Sequence, residues 1–120
     1  MQADIKLMVK IFNTTDIDWM GDEIIDVNFL TKHHIVKKED GGANDISNYA
    51  LLTPRSHHLI HYLEENYNKE YIELNKLFQE LNLTLSPPTV EYYEKVKRII
   101  KRVKKDMKNK NRNRGNKRHR

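Results

Sequence analysis

Apolar positions fall in short blocks whose spacing changes along the chain. Residues 4–12 (Asp-Ile-Lys-Leu-Met-Val-Lys-Ile-Phe) are too few and too continuously apolar for periodicity to separate helix from strand. Residues 13–18 read as a polar turn leading into Trp19-Met20-Gly21, which is expected to pack against the body. Residues 28–36 are β-branched and aromatic at intervals and stop at Lys-Lys-Glu-Asp-Gly-Gly, where Gly41 and Gly42 are expected to supply the positive φ of a tight reversal. Residues 49–53 form a second short strand candidate, closed by Pro54.

Helical spacing takes over from there. Ser56 is the expected N-cap of a helix over 57–66, with Leu59, Ile60 and Leu63 on its apolar side. Tyr71, Leu74, Leu77, Phe78 and Leu81 mark a second helix. Ser86-Pro87-Pro88 breaks the chain and starts a third, since proline fits a first turn. Its predicted stripe is Tyr93, Val96, Ile100, Val103 and Met107, with Lys and Arg on the opposite face. The last dozen residues are polar and low in complexity, a composition expected to be disordered. These elements predict a small α+β protein with an N-terminal segment packing on the core (1–27), a strand–turn–strand–helix unit (28–66), a helical extension (67–107) and a basic tail (108–120).

Composition sharpens this organisation. With 120 residues the chain holds one small domain, or a domain with an arm. The absence of Cys removes disulfides and cysteine-ligated zinc or iron–sulfur sites. No apolar run approaches the roughly 20 residues that span a bilayer, and the amino terminus lacks the charged and apolar regions of a secretory signal. A soluble, intracellular protein without a membrane partner is therefore expected. The net charge of +5 hides a partition: residues 95–120 hold 14 Lys/Arg and one acid, Asp106, whereas residues 1–94 hold 8 Lys/Arg and 16 Asp/Glu. Such an acidic body with a basic arm points to a polyanionic partner held by the arm.

The histidines supply candidate chemistry. Five of six lie within 29 residues: His33, His34, His57, His58 and His61. The Gly-Gly reversal between them returns the chain, so the strand with His33-His34 can lie against the helix carrying the others. Positions 57 and 61 share a helical face and 58 points elsewhere. Two imidazoles on adjacent turns with a third from a strand can close on one ion.

Residues 30–64, with His33-His34-Ile35, Gly41-Gly42, Asn48 with Leu52, and His57 with His61, resemble the HNH endonuclease motif of the ββα-metal (His-Me finger) group. The nine-residue step from Asn48 to His57 also fits, and on that spacing His57 is preferred to the alternative register with His58. The resemblance implies a ββα-metal core. It places His33 and His57 as metal ligands and His61 as a third ligand found in part of the family. His34 falls at the general base, and Asn48 at the residue that braces the loop orienting the catalytic imidazole. Thr53 and Ser56 stand where many members carry one Cys pair of a zinc ribbon, so packing must replace that staple.

The implied activity is metal-dependent hydrolysis of a phosphodiester, DNA ahead of RNA, by one metal and a histidine base. A histidine ordinarily titrates near 6.5 and so can accept a proton at neutrality. The implied cofactor is one divalent ion, Mg²⁺ or Mn²⁺ first, with Zn²⁺ or Ni²⁺ also compatible with imidazole. Lys97, Arg98, Lys101, Arg102, Lys104 and Lys105 are candidate phosphate contacts on the arm. Lys37, Lys38 and Arg55 are candidates beside the motif. The arm lacks aromatic residues among its distal cations, so base stacking there is not expected. A non-catalytic nucleic-acid-binding module with a degenerate or structural metal site is the alternative, and a nuclease aimed at RNA a third reading. Target sequence and oligomeric state are left open.

Overall fold

A computed structural model describes residues 1–118, with side chains to Asn111. Among these residues there are four helices and one two-stranded sheet, in the order α1 (Ala3–Phe12), β1 (Thr31–His34), β2 (Tyr49–Leu52), α2 (Pro54–Asn66), α3 (Asn68–Thr84) and α4 (Val90–Arg118). β1, β2 and α2 follow one another as a ββα unit, and α3 and α4 extend it. None of the helices is long and apolar enough to cross a membrane.

The ambiguous first block is a helix. Ile5, Met8 and Phe12 share its buried face, and Asn13 ends it in a left-handed conformation, φ 47°. The following loop is fastened by buried polar groups. The Asp18 carboxylate accepts from the backbone N–H of Met20, Asp22 and Thr53 at 2.8–2.9 Å. Trp19, fully buried against Phe12 and Phe78, donates its indole N–H to Thr14 Oγ1 and its backbone N–H to Leu51 O. Of the three residues expected to pack on the body, Trp19 and Met20 are buried and Gly21 is exposed.

The strands are shorter than predicted. Val27–Phe29 forms a 3-10 turn capped by Asp26, which leaves four residues for β1. β1 and β2 pair antiparallel with Thr31 opposite Leu52 and His34 opposite Tyr49. So short a ribbon is not stable alone; every residue of β2 is buried, and the strand meets α1, α2 and α3.

The helix α2 begins earlier than expected. Thr53, not Ser56, is its N-cap, accepting from Ser56 N–H at 3.1 Å, with Pro54 at the first helical position. The residue before a proline is held extended, the conformation a cap requires, and proline has no N–H to satisfy. The helix α4 starts after the prolines, at Val90, where Thr89 Oγ1 accepts from Tyr92 N–H. Its buried seam is Tyr92, Val96, Ile99 and Val103, rotated from the predicted stripe: Tyr93 and Ile100 flank it, and Met107 is exposed. The reason is the position of α3, which meets the Tyr92–Ile99 side, and the Tyr92 hydroxyl, which donates to Trp19 O at 2.6 Å. The backbone of α4 is helical to Arg118, through much of the segment whose composition suggested disorder; His119 and Arg120 lie outside the described residues.

Candidate functional site

The loop from β1 to β2 is built around Asn48, which is buried at 7% exposure. Its Oδ1 accepts from Val36 N–H at 2.9 Å, and its Nδ2 donates to Val36 O at 2.8 Å and to Ala43 O at 2.9 Å. One side chain thus closes both ends of the turn. Of the two glycines in this turn, Gly41 takes positive φ (87°) and Gly42 does not. Gly42 was expected to do so as well, and its real constraint is space: a Cβ there would stand 1.9 Å from Val36 O and 2.9 Å from Asn48 Nδ2. The glycine lets the loop close down on the asparagine.

Alternation along β1 sends His33 and His34 to opposite faces. His34 is half-buried, its ring edge-on to Tyr49 with centroids 5.0 Å apart. Its Nε2 lies 3.1 Å from Asn44 Oδ1, which also accepts from the Tyr49 hydroxyl. An amide oxygen only accepts, so His34 carries its proton on Nε2 and keeps the Nδ1 lone pair free. Asn44 sits in the loop that Asn48 braces, so the asparagine holds the histidine through it.

The other face of β1 gathers the remaining imidazoles. His33 is 5% exposed and edge-on to Tyr71 and Phe78 of α3, with its Nε2 2.9 Å from Asn75 Oδ1. His57 lies 6.0 Å from His33 between ring centroids and 4.8 Å from His61, on which it stacks at 23°. Its Nδ1 meets Thr31 Oγ1 at 2.6 Å. His58 is exposed and lines a different groove, with Arg55, Tyr62 and Tyr93. The strand and helix therefore meet as expected, through His57. Burial holds the His33 imidazole well below its ordinary range, at about 4, against the opposing bond from Asn75. Burial and the neighbouring His61 lower His57 as well. Both rings are neutral at pH 7, the state in which imidazole binds a metal.

Two imidazoles on one tetrahedral ion, at metal–nitrogen distances of about 2.0–2.1 Å, have ring centres roughly 5 Å apart. The spacing of His33, His57 and His61 brackets that value, so the donor set fits a divalent ion in chemistry and separation. Its aim is incomplete. Among the described residues no three His, Asp or Glu side chains converge for one ion, and stacked rings run their nitrogens side by side. His61 is exposed, so its ring can turn without displacing packed atoms.

Sequence reasoning missed several residues of this site. Thr31, two positions before His33 on the same strand face, was legible from alternation. Asn44, Tyr71 and Asn75 carried no local signal. Glu64, one turn beyond His61, forms an ion pair with Lys37 across the β1 end of the loop. Of the candidate phosphate contacts, Lys37 thus has a carboxylate partner, as do Arg55 (Asp22, 2.9 Å) and Arg102 (Glu73). Lys38, Lys97, Arg98, Lys101, Lys104 and Lys105 are exposed. Lys97, Lys101 and Lys104 lie on one stripe of α4. Lys97 and Lys104 line, with Arg55 and His58, a groove of about 930 Å³ between α2 and α4.

Residues 21–63 match the family model described as HNH endonuclease. That span contains β1, the braced loop, β2 and the histidine-bearing turns of α2, and stops before α3. No curated protein and no solved structure matches the chain.

Proposed function

We propose, with the HNH match over residues 21–63 as premise, that the chain is a metal-dependent endonuclease that hydrolyses phosphodiester bonds, in DNA ahead of RNA. The observation that supports this most is the grouping of His33, His57 and His61 on one side of β1, with His34 held on the other by an independently braced loop. His33, His57 and His61 are the residues that would hold one divalent ion, Mg²⁺ or Mn²⁺ for turnover and Zn²⁺ or Ni²⁺ as further ions for imidazole. Such an ion supplies charge neutralisation at the phosphate and at the departing oxygen.

The rest falls to the chain. His34 Nδ1 accepts a proton from the attacking water as its oxygen bonds to phosphorus and the bond to the 3′ oxygen breaks, leaving a 5′-phosphate. Asn44 fixes that ring through Nε2, and Asn48 fixes Asn44. A positioned base of this kind contributes about 10²- to 10⁴-fold. The exposed stripe Lys97, Lys101 and Lys104, with Arg98 and Lys105 beside it, holds the polyanion through its phosphates and reads no bases. Lys38 and, after exchanging their carboxylate partners, Lys37, Arg55 and Arg102 add to that surface; exposed ion pairs are worth little and exchange readily.

Plasmid nicking measured across Mg²⁺, Mn²⁺, Ni²⁺ and Zn²⁺ tests the reading. Activity that EDTA abolishes and His34→Ala lowers by 10² or more supports it; nicking unchanged in His34→Ala removes the base. One observation favours the alternative, a non-catalytic nucleic-acid-binding module: the three imidazoles do not converge. Binding without cleavage under all four ions would establish it.

A further inference from the structure

Two side chains on different elements hold the His33 and His57 imidazoles in opposite orientations of their protons. The Thr31 hydroxyl has a single hydrogen, and it donates this to Leu52 O at 2.9 Å. Toward His57 Nδ1, 2.6 Å away, Thr31 Oγ1 can therefore only accept. The proton of His57 is on Nδ1, and the lone pair on Nε2. For His33 the situation is reversed. Asn75 Oδ1 lies 2.9 Å from Nε2 and can only accept, so the proton is on Nε2 and the lone pair on Nδ1.

We propose that Thr31 and Asn75 are positioning residues that lock His57 as the Nδ1–H tautomer and His33 as the Nε2–H tautomer, so that the two rings offer Nε2 and Nδ1 to one cation. This rests on the reading of His33 and His57 as metal ligands. Asn75 lies on α3, outside the matched span, so the helical extension completes the site rather than merely covering it. A ring whose far nitrogen is bonded has its orientation and basicity fixed, and loss of such a partner ordinarily costs 10- to 100-fold in metal affinity.

The test uses the full chain. Long-range ¹⁵N–¹H spectra of the metal-free protein at pH 7.5 should show His57 protonated on Nδ1 and His33 on Nε2. Thr31→Val and Asn75→Leu should each return the facing ring, alone, to a mixture of tautomers. Thr31→Ser and Asn75→Asp keep the acceptor and should restore the pattern. Zn²⁺ and Ni²⁺ affinities, measured by chelator competition, should fall 10- to 100-fold in Thr31→Val and Asn75→Leu and recover in the conservative pair. The same tautomer on both rings of the wild type, or affinities unmoved by Thr31→Val and Asn75→Leu, overturns the proposal. A wild-type chain that takes up neither ion overturns the ligand reading, and the spectra then decide the tautomers on their own.

Discussion

Removing the amide of Asn48 perturbs the molecule at a point where stability and site geometry can be separated. Asn48→Ala deletes three hydrogen bonds, one accepted from Val36 N–H and two donated to Val36 O and Ala43 O. Each contributes about 1 kcal/mol net, and a buried group left unpaired costs about 1–3 kcal/mol. Ala43 is exposed and Val36 half-buried, so water can replace part of what is lost. The expected destabilisation is therefore about 3 kcal/mol, read as a shift in urea midpoint at constant slope. Asn48→Asp separates hydrogen bonding from volume. One oxygen still accepts from Val36 N–H, but the other, ionised, faces the carbonyls of Val36 and Ala43, so this variant should be at least as unstable at pH 7. Protonation restores a donor, and its deficit should shrink as pH falls through the raised pKa of the new carboxyl. At temperatures where both variants are folded, cleavage should still be lost, because Asn44 and with it His34 have come loose. A loss below about 1 kcal/mol in Asn48→Ala, or a wild-type stability in Asn48→Asp at pH 7, would refute the bracing role.

Three further outcomes follow from the same geometry. Gly42→Ala should destabilise by about 3 kcal/mol or more, since the new Cβ meets the Val36 backbone. Gly41→Ala, in open space at φ 87°, should cost only roughly 1–2 kcal/mol, and equal losses in denaturation would contradict the close-approach reading. In metal-free protein, His33 binds its proton in the unfolded chain below about 6.5 but in the folded chain only near 4. Its contribution is thus complete above pH 6.5 and is lost as pH falls toward 4, by roughly 3 kcal/mol. Urea midpoints between pH 4 and 7 should slope more steeply in wild type than in His33→Gln, and parallel curves would deny the buried neutral ring. Replacing Lys97, Lys101 and Lys104 together by Ala should reduce the salt slope of DNA binding by about 2.7, at roughly 0.9 per phosphate contact, and an unchanged slope would clear that stripe of contact.

What the chain's pattern discloses depends on how local the determining physics is. The neighbourhood of His33, His57 and His61 was legible because a glycine turn and a helical i, i+4 pair are local rules that together dictate which groups meet. The helix start was misplaced by three residues because Ser56 and Thr53 are equal as caps in isolation; Pro54, which holds the residue before it extended, decides between them. The seam of α4 was rotated because Tyr92 and Tyr93 are equally apolar, and the tie is broken by distant partners, α3 and the Trp19 carbonyl that takes the Tyr92 hydroxyl. Gly42 shows the reverse case: the residue type was read correctly and its reason was not, since a steric approach from Val36 leaves the same letter as a positive φ. Asn75 marks the limit. It reaches His33 across 42 positions from the middle of an otherwise ordinary helix, and no spacing rule distinguishes it from Asn82, which binds the backbone carbonyls of Ile46 and Tyr49. Both asparagines sit on the α3 face that closes over the ββα unit, one fastening its backbone and the other its buried imidazole. The extension beyond the matched span is thereby part of what sets the geometry of the histidines, and Asn75→Leu in the full chain should release the proton placement on His33 while leaving that on His57 in place.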